Sequence, residues 1–160
     1  MKVTPLAEAL GAEIEDVDLS EEMSPDGWQA IHAAWLEYKV LVFRGQDLSE
    51  EVHLRFGRTF GDIQAVRSAN HLIGEEQPFM YIANREVDGK PGILPDGEMH
   101  FHNDQSYYEI PSKASLLYAL EIPSQGGNTL FSNAAKAYDM LEDSLKETLI
   151  GLQVFNVYDY

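Results

Sequence analysis

At 160 residues the chain has the length of one domain able to bury a real core, and its 44% hydrophobic and 24% charged content is ordinary for a globular protein. It has no cysteine, which excludes disulfides, thiolate metal sites and cysteine nucleophiles. A net charge of −16, with no basic stripe to neutralise phosphates, argues against a nucleic-acid partner and is read as a solubilising surface. No apolar run approaches the roughly 20 residues of a membrane span, and Met1-Lys2-Val3-Thr4-Pro5 lacks the apolar centre of a signal peptide. The expectation is a cytoplasmic protein with no membrane partner.

In chain order, residues 8–19 read as a bent extended segment with Ala12, Ile14, Val17 and Leu19 as its apolar positions. Ser24-Pro25 supplies an N-cap followed by proline at the first helical position, and Trp28, Ile31, His32, Ala34 and Trp35 recur at helical spacing, so a helix is expected over about 25–38. His32 falls on its apolar face, as a core or boundary histidine rather than a ligand. The apolar run Val40-Leu41-Val42-Phe43 suits a buried strand. Ser49 caps a second helix, Glu50 and Glu51 complement its dipole, and Gly61 is a C-terminal stop; His53, in its middle, is expected to face solvent. Strands are expected over 78–83, 114–122, 128–131 and 154–158. A helix begins at Asn133, and another, capped by Asp143 or Ser144, runs to about Leu152.

This order shows no regular β-α-β alternation, which disfavours a doubly wound parallel sheet. It suits an α+β fold with a mostly antiparallel jelly-roll (double-stranded β-helix) core and helical insertions. The chain stops at Tyr160, inside or just after an expected strand, so the barrel is expected to be incomplete at its C-terminus. The open edge of that strand would favour a homo-oligomer.

The most informative segment is Phe101-His102-Asn103-Asp104. Side chains two residues apart on an extended backbone share a face, so His102 and Asp104 would present an imidazole nitrogen and a carboxylate together. These are two of the three ligands of the 2-His-1-carboxylate triad that holds non-haem Fe(II) and leaves positions open for cosubstrate and O₂. The histidines are His32, His53, His71, His100 and His102, so the third ligand, a downstream histidine, is lacking in this chain.

Four segments in order give a resemblance. Residues 39–45, Lys-Val-Leu-Val-Phe-Arg-Gly, resemble the early core strand of the taurine dioxygenase (TauD/TfdA-type) family of Fe(II)/2-oxoglutarate-dependent dioxygenases. Phe56-Gly57-Arg58-Thr59-Phe60-Gly61 matches that family's F-G-x-x-F-G, and Phe101-His102-Asn103-Asp104 its W-H-x-D, with Phe for Trp. Gly126-Gly127-Asn128-Thr129-Leu130-Phe131 with Ala137-Tyr138 matches its G-G-x-T-x-F…A-Y. The resemblance covers almost the whole chain. It implies that His102 and Asp104 ligate iron, that Thr129 hydrogen-bonds a 2-oxoglutarate carboxylate, and that a small anionic organic substrate is hydroxylated with release of succinate and CO₂.

The departures are as informative. Family members continue to a distal histidine and an arginine that pairs with 2-oxoglutarate, yet no His follows His102 and no Arg follows Arg85. The expectation is therefore a single dioxygenase domain over 1–160, truncated before those residues and inactive alone. Glu98 stands where taurine-specific members have Asn, and no substrate-binding His is evident around residues 67–71, so the substrate stays unknown. Two other readings remain open. His100-x-His102-x-Asp104 opens a zinc-hydrolase motif, although Gln105 stands where that motif has His. A non-catalytic fragment is the third.

Overall fold

The computed structural model describes residues 1–64, 72–73, 79–87, 89, 92 and 99–157, the pair 72–73 by its backbone alone. A three-stranded sheet is built from β1 (Lys2–Pro5), β2 (Ala12–Glu15) and β3 (Leu41–Phe43), in that spatial order. β1 runs antiparallel to β2, with Val3 opposite Ile14, and β2 runs parallel to β3, with Ala12 opposite Leu41. The parallel pair is joined through helix α1 (Pro25–Tyr38), a β-α-β unit within an otherwise unalternating order.

Local chemistry explains both long helices. Ser24 Oγ accepts from the Gly27 amide at 3.2 Å, and Pro25 starts α1 where no backbone donor is needed. α1 stops at Lys39, whose φ of 67° turns the chain toward β3 while its amide donates to the Trp35 carbonyl at 2.8 Å. Helix α2 (Glu50–Arg58) is capped by Ser49, whose Oγ accepts from the Val52 amide, and acidic residues fill its first turn and basic ones its last. Gly61 follows at φ 149°, a backbone angle that favours glycine.

The core lies between these helices and the sheet. Leu19, Ile31 and Phe56 are buried together, with Trp28, Leu41, Phe43, Phe60 and Leu116 packed against them. Phe56 meets Trp28, Phe43 and Phe60 at centroid separations of 5.6, 5.4 and 5.4 Å, the range favoured by tilted and edge-on aromatic pairs. His32 joins this cluster, 5.4 Å from the Trp35 ring, as its helical spacing predicts. β3 is half-buried rather than fully buried, as suits the edge strand of a sheet covered on one side.

A short hairpin pairs β4 (Leu72–Ile73) with β5 (Phe79–Met80) antiparallel; of the strand expected over 78–83, residues 79–80 form it, 81–83 do not, and 78 lies outside the described residues. Residues 114–122, 128–131 and 154–157 form no strand. Residues 112–118 still alternate, with Ser112, Ala114, Leu116 and Tyr118 half-buried and Lys113, Ser115 and Leu117 exposed. The period of two is therefore present while, among the described residues, the ladder partner is not, since strand formation needs a neighbour at matching register. Val154, Phe155 and Val157 are all at least 80% exposed, so the jelly-roll core is not formed among the described residues.

The C-terminal helices are short. α3 (Ala134–Asp139) begins where its cap predicts, with Asn133 Oδ1 accepting from the Lys136 amide at 3.0 Å while Nδ2 donates to the Ala9 carbonyl at 2.8 Å. α4 (Asp143–Leu149) takes Glu142 as its N-cap, with no side-chain bond, rather than Asp143 or Ser144.

Ile31 is fully buried at the centre of the only described core cluster. Ile31→Ala should lower unfolding stability by about 2–5 kcal/mol, since a buried truncation loses transfer energy and leaves a cavity. Urea unfolding followed by tryptophan fluorescence measures this, and an unshifted midpoint would contradict the packing.

Candidate metal centre

His102 and Asp104 come together as their spacing predicts, although the segment is a loop running into a turn rather than a strand. His102 Nε2 lies 3.1 Å from Asp104 Oδ1, and each side chain is about half exposed, at 50% and 51%. The other ring nitrogen, Nδ1, is 2.8 Å from the His100 carbonyl. A carbonyl only accepts, so an Nδ1–H donates to it, and Nε2 is left facing the carboxylate, where it can donate as an imidazolium or give a lone pair to a metal ion.

The geometry fits a metal. The two donor atoms, 3.1 Å apart, are close enough to reach one ion together. An imidazole held by a backbone carbonyl through its far nitrogen is the usual outer support of a ligating histidine. A neutral imidazole with a carboxylate also suits a divalent ion of intermediate hardness. These two residues can therefore hold Fe(II), while among the described residues no group of three His, Asp or Glu side chains does so.

The surroundings of Asp104 come from a distant part of the chain. Ser115 Oγ donates a hydrogen bond to Asp104 Oδ2. One residue on, Gln105 adopts φ 52°, and its Oε1 is 2.5 Å from Ser112 Oγ, which also lies 2.8 Å from Gln64 Oε1. Sequence reasoning missed Ser115, which has no motif around it. Its placement follows the burial of the alternate residues Ser112, Ala114 and Leu116, which leaves Ser115 on the opposite face.

The other expected residues fare differently. His100 is exposed and contributes its carbonyl rather than its ring, so the three-ligand reading of His100, His102 and Asp104 gains no support. Thr129 is exposed on a segment set by Gly126 and Gly127, whose φ values of 73° and 67° make that turn one for glycine. No shared cavity joins Thr129 to the pair among the recesses described. One recess is bounded by Asp16, Asp18, Glu22 and Gly27, the other by Trp28, Arg55 and Thr59. Glu98 and residues 67–71, considered for substrate binding, lie outside the described residues.

His53 does not face solvent as expected. Its ring is half-buried, 5.4 Å from Phe79 and 6.0 Å from Tyr118, and it bridges α2 to the hairpin and to the 112–118 segment.

The chain matches the family described as "Taurine catabolism dioxygenase TauD, TfdA family" over residues 2–160, and it belongs to that family. It is 31% identical over 167 residues to an (S)-phenoxypropionate/alpha-ketoglutarate-dioxygenase of Sphingobium herbicidovorans, an alignment covering 99% of this chain and 54% of that protein. It is 34% identical over 168 residues to an alpha-ketoglutarate-dependent sulfate ester dioxygenase of Pseudomonas putida, covering 100% and 51%. Among solved structures, AAD-2 in complex with Mn(II) and N-oxalylglycine superposes with a TM-score of 0.69 at 26% identity, covering 93% of this chain and 49% of that one. The chain thus spans about half the length of the relatives it matches. Proteins of this family use Fe(II) and 2-oxoglutarate with O₂.

Burial holds the His53 imidazole below its ordinary pKa of 6.5. A folded pKa beneath the unfolded one means that the unfolded chain takes up protons first. The contribution of His53 is then present above the unfolded value and is lost as pH falls from there through the lower folded value. An NMR titration of His53 should give a midpoint below 6.5, and His53→Phe should flatten the fall in stability below that pH. A midpoint at or above 6.5 would contradict the buried placement.

Proposed function

We propose that this chain is the iron-bearing half of a dioxygenase that hydroxylates a small anionic organic substrate, using 2-oxoglutarate and O₂ and releasing succinate and CO₂. The observation that carries the reading is the 3.1 Å approach of His102 Nε2 to Asp104 Oδ1, within a chain that belongs to this family. His102 and Asp104 hold the ion. Thr129 donates its hydroxyl to a carboxylate of 2-oxoglutarate, a role that suits a neutral donor in a chain of net charge −16. Fe(II), when bound with 2-oxoglutarate and O₂, supplies the oxidation that converts a substrate C–H to C–OH.

Two protein ligands leave the site short of the three that fix a facial geometry. The remaining histidine, the arginine that pairs with 2-oxoglutarate and the strands that close a jelly roll would come from the half of the relatives' length that this chain does not match. The anionic substrate class is supported by the two relatives, one named for phenoxypropionate and the other for sulfate esters. A cytoplasmic location, small-molecule partners and a homo-oligomer belong to the same proposal.

Succinate formation from 2-oxoglutarate should be absent with residues 1–160 alone and present in a polypeptide that adds the downstream histidine and arginine. In that longer form His102→Ala or Asp104→Ala should reduce turnover by at least about 10³-fold, each removing one of three ligands. Thr129→Val should raise the KM for 2-oxoglutarate by about tenfold, the loss of one hydrogen bond to a charged group. Retained turnover in either ligand variant refutes the assignment.

A further inference from the structure

We propose that Ser115 is a positioning residue of this metal site, holding Asp104 as a single-oxygen ligand. The inference rests on the iron-binding reading above. Ser115 Oγ donates to Asp104 Oδ2, while Oδ1 is the oxygen turned to His102 Nε2. A carboxylate can bind an ion through one oxygen or both, and the second mode would consume a position that cosubstrate or O₂ needs. Occupying Oδ2 with a hydroxyl proton leaves one donor and fixes the plane of the carboxylate.

The placement of Ser115 suits this task. Asp104 lies in a turn without ladder support and is followed by Gln105 in the left-handed region. Ser115 belongs to a segment tied to the core on both sides. Lys113 Nζ donates to the Phe60 carbonyl at 2.9 Å, and Leu116 packs on the Leu19–Ile31–Phe56 cluster. Tyr118 Oη donates to the Gln46 carbonyl at 3.3 Å and accepts from the Leu48 amide at 3.1 Å. The contact between Ser112 and Gln105 is a second tie from the same segment to the same turn. Rigid support reaches the ligand through these two hydroxyls, as an outer shell does in a metal site.

The test is Mn(II) titration of the 160-residue chain, followed by electron paramagnetic resonance of the free ion, for wild type and for Ser115→Ala, Ser115→Thr, His102→Ala and Asp104→Ala. Ser115→Ala should weaken Mn(II) binding about tenfold, the low end for loss of an outer-shell partner, with an unchanged thermal midpoint. Ser115→Thr, which keeps the hydroxyl, should stay within about twofold of wild type. If Asp104→Ala weakens binding and Ser115→Ala does not, the positioning role is overturned and the metal site stands. Equal losses in the Ala and Thr variants would show a structural disturbance and also overturn it. Wild-type affinity in both His102→Ala and Asp104→Ala would sink the metal reading itself, and this proposal with it.

Discussion

Burial of Ile31 against Leu19 and Phe56 is the contact on which the rest of this structure depends. It brings α1 and α2 to one side of a small sheet, and the aromatic side chains around Phe56 fill the space between them. The site's support is built outward from there. The carbonyl of Phe60, at the end of α2, receives Lys113, the cluster receives Leu116, and the turn before α2 receives Tyr118. The segment so anchored carries Ser112 and Ser115 to the turn that bears Asp104. Weakening the core should therefore loosen Asp104, far from it in sequence, with no direct contact between the two.

What was legible in the sequence is what local chemistry decides. Ser24-Pro25, Ser49 with two glutamates and Asn133 each satisfy helix donors from within a few residues, so three helix starts could be read directly. Strands obeyed a different rule. Residues 112–118 alternate in burial, yet a ladder forms only when another segment arrives at the right register, and none of the described residues does so. The β1–β2 pairing, which the composition of residues 2–5 does not announce, exists because Val3 finds Ile14 across it. His53 was misjudged for a similar reason. Its helical position is on the flank of α2, and burial comes from Phe79 and Tyr118, both distant in sequence.

The His102–Asp104 pair shows the same division. That His102 and Asp104 meet follows from a spacing of two residues, and the meeting survives even without a strand to enforce it. The orientation of the His102 ring and the direction of the Asp104 carboxylate follow instead from the His100 carbonyl and from Ser115. Neither was visible as a motif, because a backbone acceptor has no sequence signature and an isolated serine is a common residue. Electrostatics adds a constraint. In a chain of net charge −16 an anionic cosubstrate is disfavoured by the overall field, and the bound cation would supply the local positive charge that draws it in.

The central claim is that His102 and Asp104 together form the metal-binding face of this chain. Paramagnetic broadening by substoichiometric Mn(II) in a ¹H–¹⁵N correlation spectrum tests it most directly, because it locates the ion without requiring catalysis. The account predicts that the amides of residues 100–105 and of Ser115 broaden first, while those around Glu13, Asp16 and Asp18 persist. Broadening that begins along the acidic strand and loop of residues 13–22, or that spreads evenly over the carboxylates, would contradict it.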